Sequence, residues 1–161
     1  MTINKHITLT ACLLLFFCAG RSDADSFSLF ATNSFTLEKS GHINRQTLLF
    51  AQDADIAGTM ENDLFLFSNK SAVTDAEPAI KLSGEFLNDI LVVADAVTLS
   101  GHVHDHARIL ARTITVDGSV SNTSVFIGET IRLSPKSQIT GDTLVIAGTI
   151  EAHGRVDGDL I

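Results

Sequence analysis

A unit of glycine, any residue and an apolar residue recurs along most of the chain, and this repeat limits the folds that the chain can adopt. Successive apolar members are 17, 26, 17, 17, 19 and 17 residues apart. A unit this short cannot bury a core alone, so the repeat predicts a solenoid of stacked coils. The units, with serine replacing glycine in the sixth, are residues 41–43, 58–60, 84–86, 101–103, 118–120, 137–139 and 154–156.

Other apolar residues keep the same register within each coil. Val97 and Leu99 stand six and four residues before Val103, and most coils repeat this spacing. A spacing of two is typical of strands, whereas a spacing of four passes a corner. Two further columns lie upstream and are predicted to face inward, with Arg108 as the one non-apolar member: Leu29, Leu48, Phe65, Leu91, Val125 and Leu144, then Ala31, Phe50, Phe67, Val93, Leu110, Ile127 and Ile146.

These patterns predict an all-β, single-domain parallel β-helix (solenoid) of about seven coils of ~17 residues. Parallel crossovers are generally right-handed, and the six-residue spacing of left-handed hexapeptide helices is missing, so a right-handed coil is favoured. Asn, Asp and Gly pairs such as Asn88-Asp89 and Gly141-Asp142 fall at one corner. We interpret them as residues that tolerate the left-handed backbone of tight turns.

The N-terminus is typical of a secretory signal peptide. Lys5 and His6 precede an apolar run over residues 7–20, which is too short for a comfortable membrane span. Residues 1–24 are therefore predicted to be a signal peptide and residues 25–161 the β-helix domain, with a second candidate cut before Arg21. An uncleaved anchor and lipidation at Cys18 are the alternatives. Both cysteines, Cys12 and Cys18, lie in this segment, so the mature chain is expected to contain no disulfide.

A polar, proline-containing stretch interrupts the repeat at about residues 68–79. It includes residues 68–71 and 75–78, Ser-Asn-Lys-Ser and Asp-Ala-Glu-Pro. This composition predicts a surface loop that leaves the helix at a corner.

Composition excludes several classes of function. The formal net charge of −8 argues against binding to nucleic acid and against attachment to anionic lipid by charge. The chain has no Trp and no Tyr, so an aromatic-rich recognition surface is not expected.

Two segments carry a family resemblance. Residues 88–103 and 142–159, with the sequences NDILVVADAVTLSGHV and DTLVIAGTIEAHGRVDGD, resemble bactofilins and related polymer-forming bacterial proteins. The resemblance extends over about residues 27–161 and lies in the repeat pattern. It implies a right-handed β-helix that polymerises end to end without nucleotide, often with a membrane or cell-wall role. Bactofilins proper are cytoplasmic, so the export signal makes an envelope relative the better fit.

Three histidines close together in the sequence are candidate metal ligands. His102 and His104 are expected to point outward on one strand, with His106 at the next corner and Glu85 beside His102 one coil away. Imidazoles two residues apart on a strand can share a metal ion. A solvated strand face is the favoured explanation of these histidines, and the outward acidic residues do not cluster in register, so we predict no metal site, no cofactor and no enzyme activity.

Two hypotheses about function remain. The first is a structural protein of the cell envelope that self-assembles through the open ends of its β-helix, with Phe27, Leu29, Leu160 and Ile161 at the interface. Its partners would be other copies of itself and envelope components, with membrane contact only through an uncleaved signal or a lipid anchor. The second is a monomeric exported module that binds glycan or metal, or a fragment of a larger surface adhesin.

Overall fold

A computed structural model describes residues 27–70 and 78–161, and this part of the chain consists of strands and turns. None of its segments is a helix with the length and apolar character of a membrane span. The strands are β1 (Phe27–Leu37), β2 (His42–Ile43), β3 (Gln46–Ile56), β4 (Thr59–Met60), β5 (Leu64–Phe67), β6 (Ile80–Leu82), β7 (Glu85–Phe86), β8 (Ile90–Leu99), β9 (His102–Val103), β10 (Ala107–Val116), β11 (Ser119–Val120), β12 (Ser124–Leu133), β13 (Gln138–Ile139), β14 (Thr143–Ala152) and β15 (Arg155–Val156).

Each interior strand pairs in parallel with its equivalents in the coils above and below, and the strands at the two ends pair on one side. The long strands form one sheet in the order β1-β3-β5-β8-β10-β12-β14, with β6 between β3 and β8. The two-residue strands form a second sheet, β15-β13-β11-β9-β7-β4-β2. The register joins equivalent repeat positions, for example Val103 to Phe86 and to Val120. The predicted all-β parallel solenoid of about seven coils is thereby confirmed.

Each long strand bends once, so a coil has three faces. Between β8 and β10 the ladder pairs Ala94 with Ala111 and Ala96 with Thr113, but it skips Asp95 and Arg112. Ala96 and Val97 are both buried, so the strict alternation of the strand is broken there. The first face consists of the first part of each long strand, for example residues 90–94 of β8. The second face consists of the part after the bend, for example residues 96–99. The third face consists of the two-residue strands.

The core follows three of the predicted columns. Val103 and its equivalents Met60, Phe86 and Val120 are at most 1% exposed. The columns that precede them by four and six residues are also buried, as at Leu99. Close stacking of identical positions removes nearly all the surface of these inward side chains from water, and this burial is the main stabilising contribution.

The two upstream columns were predicted to face inward, and this prediction is wrong. Leu49 and Val92 are fully buried, so their neighbours at Leu48 and Leu91 lie on the opposite side of the pleat. Leu48 is only 6% exposed, but it does not pack in the core that contains Leu49. At the coil of β14, Leu144 is 37% exposed and Ile146 is 54% exposed. Both columns therefore form the outer surface of the first face, which is called the apolar face below.

The error has a physical reason. The inward residues of the first face include polar ones, so they look less like a core than the outward column does: Thr47, Leu64, Ile90, Ala107, Ser124 and Thr143. Arg108 was the signal that could have corrected the assignment. Its guanidinium would have had no partner inside the core, whereas on the outside it bonds Asp89.

The corners do not use left-handed backbone, contrary to the interpretation of the Asn, Asp and Gly pairs. No residue in the described part of the chain has a positive φ. Glycine at the repeat anchor is instead required by close approach between coils. A Cβ on Gly101 would overlap the carbonyl oxygen of Gly84, which accepts the backbone N–H of His102 at 3.0 Å.

The polar insertion lies between β5 and β6. In the coils on either side of it, one continuous strand spans the bend, as in β3 and β8. The Lys70 ammonium pairs with the Asp53 carboxylate of the preceding coil at the start of the insertion. Residues 71–77, within the predicted loop 68–79, and the predicted signal peptide 1–24 lie outside the described residues.

Candidate functional site

The histidines lie on and after β9, on the outside of the third face. The His104 Nε2 atom lies 3.0 Å from the Glu85 Oε2 atom of the coil before it. Glu85 is the backbone partner of His102, as the sequence suggested, but its carboxylate reaches His104 instead. The imidazole rings of His102 and His104 lie close together, with 4.1 Å between their centroids.

His102 contacts two hydroxyl groups of the following coil. Its Nδ1 atom lies 2.6 Å from Ser119 Oγ, and its Nε2 atom lies 3.0 Å from Ser121 Oγ. In a Ser-His-Asp triad, the imidazole contacts the serine hydroxyl through one nitrogen and a carboxylate through the other. Here the serines contact His102 and the carboxylate contacts His104, so no single ring links the two groups.

His106 belongs to a separate cluster at the corner after β9. Its Nδ1 atom lies 3.0 Å from Asp89 Oδ1 and 2.7 Å from Asp105 Oδ1. The Arg108 Nη1 atom donates to Asp89 Oδ2 at 2.8 Å. The amide of Asn122 donates to Asp105 at 3.0 Å. The cluster thus links three successive coils through charged and polar side chains.

The pKa of Asp89 is displaced by its surroundings in this cluster. Partial burial raises the pKa, but the hydrogen bonds from Arg108 and His106 and the charge of Arg108 outweigh it, so the pKa of Asp89 lies below its usual range. The carboxylate is therefore held in its charged form. Its role here is to tie adjacent coils together.

The three candidate metal ligands His102, His104 and His106 do not converge on one point, because each contacts a different set of neighbours. Asp89, Asp105 and His106 do bring one ligand atom each within 4.8 Å of one another. However, Arg108 already neutralises Asp89, and a guanidinium beside the site opposes cation binding. The geometry therefore favours an ion-pair network over a metal centre.

The predicted assembly residues are divided between two surfaces. Phe27 and Leu29 pair with Gln46 and Leu48 and so belong to the outer side of the first face, not to an inward column. Leu160 forms a bridge with Thr143 and continues the inward column. Ile161 was expected to follow Leu144 inward, but that column faces outward.

The outermost described coils leave core positions uncovered. Ile150 is 47% exposed, although Ile131 and Ile114, its equivalents in the preceding two coils, are fully buried. At the other end Phe30 and Phe35 contact each other, with ring centroids 5.2 Å apart, and are only partly buried. Both ends thus expose apolar side chains that the interior coils cover.

A shallow groove runs along the apolar face near the polar insertion. Its floor includes Phe50 and Phe67, whose rings stack with centroids 5.5 Å apart, and Val93. The polar side chains that line it come from three successive coils and are Asn33, Gln52 and Asn69. Sequence reasoning missed this groove because it placed Phe50 and Phe67 in the core.

Comparison of the chain with family models, with curated proteins and with solved structures finds no match.

Proposed function

We propose that this chain is a non-catalytic structural protein of the bacterial cell envelope, related to bactofilins, that self-assembles through the ends of its β-solenoid. The observation that carries the proposal is the contrast within one column between Ile150 and Ile131. A position that is covered in the interior of the rod is half exposed at its end. Stacking a second rod there would bury it as each interior coil is buried.

The backbone supports the same contact. Interior coils exchange hydrogen bonds with both neighbours, whereas β1 and β14 are the outermost strands of the larger sheet among the described residues. The start of β14 is covered by the last residues of the chain, since Thr143 and Val145 donate to Asp159 and Ile161, and the rest of the strand lies at the edge. An edge strand with free N–H and C=O groups is a template for another strand. Head-to-tail stacking would produce an open filament, and like-to-like stacking would produce a two-fold pair.

Sedimentation velocity of the protein recovered from the exporting cell tests this function. We expect the mass to rise with concentration, and Leu160→Lys with Ile161→Lys to lower it while the circular dichroism spectrum stays that of a β-protein. The matched control adds the same charge to exposed positions on the third face, Gln138→Lys with Thr140→Lys, and should leave assembly unchanged.

A wild-type protein that stays monomeric at high concentration would refute the proposal. A monomer whose thermal stability increases with zinc or with a glycan would favour the binding-module alternative.

Mass spectrometry of the recovered protein tests export. We expect a start near Asp25 or Arg21, whereas an intact Met1 or a lipid on Cys18 would replace cleavage with anchoring.

A further inference from the structure

The strands of the first face are mostly apolar on both sides, apart from inward hydroxyl-bearing residues such as Thr47 and Ser124. In β5 the four residues Leu64–Phe67 are all apolar, with Leu64 and Leu66 fully buried and Phe65 and Phe67 on the outside. Strands with one side in water usually alternate apolar and polar residues, whereas unbroken apolar runs are typical of parallel strands covered on both sides. The sequence of the first face is therefore that of a covered sheet.

The other two faces provide an internal comparison. Outward positions of the second face are polar or charged, such as Thr98, Thr115 and Arg132. Those of the third face include His102 and Ser119. Since all three faces are built from parallel strands, the solenoid does not itself require apolar outward residues. Large outward apolar residues are concentrated on the first face, with Leu87 after β7 as an exception, and this concentration indicates a surface specialised for contact.

Charge points to another copy of this chain as the occupant. Two molecules with a formal net charge of −8 repel each other wherever charged faces meet. In the two outward columns of the apolar face the single charged residue is Arg108, and its guanidinium is already paired with Asp89. Two apolar faces can therefore meet without placing an unpaired charge between them.

Shape and area agree with this occupant. Seven coils about 4.8 Å apart, each contributing about five residues at 3.3 Å, give a face of about 34 by 17 Å. Two such faces together would bury about 1,200 Å², which is the lower bound for a stable specific interface. A regularly spaced sheet can pack on a copy of itself, because sheets pack face to face about 10 Å apart.

We propose that two copies of this chain pack their apolar faces together about a two-fold axis, as the two sheets of a sandwich do. Leu91 and Val93, in the central coil, lie near the middle of the contact. This pairing is lateral and is centred on residues remote from the ends of the rod. It can therefore hold or fail independently of the end-to-end assembly proposed above.

Charge placed at the centre of the apolar face tests the pairing by sedimentation. The full chain with Leu91→Asp is compared with Thr98→Asp, which adds the same charge on an outward position of the same strand but on the second face. Both are made in the Leu160→Lys, Ile161→Lys background, so that end contacts are suppressed. We expect a dimer for the background and for Thr98→Asp, and an increase of about 100-fold in the dimer dissociation constant for Leu91→Asp.

A cysteine crosslink tests the geometry without adding charge. With Cys12→Ser and Cys18→Ser, the chain has no other thiol. Val93→Cys should then form a disulfide-linked dimer under mild oxidation, whereas Thr98→Cys on the same strand should not. Equal crosslinking at both positions, or a background protein that is already monomeric, would overturn the proposal. So would binding of neutral lipid vesicles that requires Leu91, because the face would then contact a membrane.

The two proposals fail in different ways. One outcome is that the wild-type protein and the Leu160→Lys, Ile161→Lys variant both form dimers of the same size, and that Leu91→Asp dissociates these dimers. In that case lateral pairing stands and end-to-end assembly is refuted. If filaments form and their mass per unit length is unchanged by Leu91→Asp, lateral pairing is refuted and end-to-end assembly stands.

Discussion

Val103 of β9 is the backbone partner of Phe86 in β7, and both side chains point into the core with no more than 1% of their surface exposed. The position next to Val103, His102, lies on the outside against two serine hydroxyls. Inward and outward environments are thus separated by a single residue of the strand.

Val103→Asp should destabilise the fold by about 3 kcal/mol or more, because it buries a carboxylate without a partner among aliphatic side chains. His102→Asp, one residue away, should cost about 0.5 kcal/mol, since the new side chain reaches water. Urea unfolding followed by circular dichroism measures both. Equal losses would mean that the inward register of the third face is wrong.

Gly101→Ala should cost about 1–3 kcal/mol in the free energy of unfolding, because the new methyl group overlaps the Gly84 carbonyl oxygen and pushes the two coils apart. Gly148→Ala is the matched control. Its Cβ would lie 3.2 Å from the Glu129 carbonyl oxygen on an exposed corner, so its cost should stay within about 0.5 kcal/mol. A stability loss at Gly148 as large as that at Gly101 would contradict the close-approach explanation.

Asp89 should contribute acid-sensitive stability. Since its pKa is lowered in the folded state, its contribution is fully present above the unfolded pKa of about 3.9 and is lost as the pH falls through the folded value. Asp89→Asn should therefore cost about 0.5–1 kcal/mol at pH 7, a modest value because the pair is partly exposed. The difference from wild type should shrink below about pH 4. Glu38→Gln, at an exposed turn, is the control; a difference for Asp89→Asn that stayed constant down to pH 2 would refute the assignment.

Thr143 carries a hydroxyl that the described residues leave without a hydrogen-bond partner, although its side chain is fully buried. Thr143→Val keeps the shape and removes this cost, so it should stabilise the protein by about 1 kcal/mol. Thr115→Val, on the outward side of the second face, should change stability by less than about 0.5 kcal/mol. Thermal unfolding of the two variants distinguishes these results, and a loss of stability in Thr143→Val would contradict the inward placement of Thr143.

The sequence was sufficient for the fold because the repeat encodes its own register. A glycine at Gly101 and an apolar residue at Val103 recur at the coil length, and parallel stacking then aligns every equivalent position. The first face was predicted wrongly because its outward column, with Leu48 and Leu91, is more apolar than its inward one, with Thr47 and Ser124. Apolar content alone cannot distinguish a core from a surface that is specialised for contact.

The candidate site was predictable only in outline. Alternation placed His102 and His104 outward, and the coil length placed Glu85 beside them. Which side chain Glu85 contacts depends on rotamers and on the lateral offset between coils, and neither can be read from a spacing. The link from His106 to Asp89 also depends on the path of the corner.

Electron microscopy of the purified wild-type protein tests the central claim, self-assembly of the solenoid, most directly. We predict rods that lengthen with concentration well beyond the roughly 34 Å of seven coils, and that shorten to single units in Leu160→Lys with Ile161→Lys. Isolated particles of one rod length at every concentration would contradict the account.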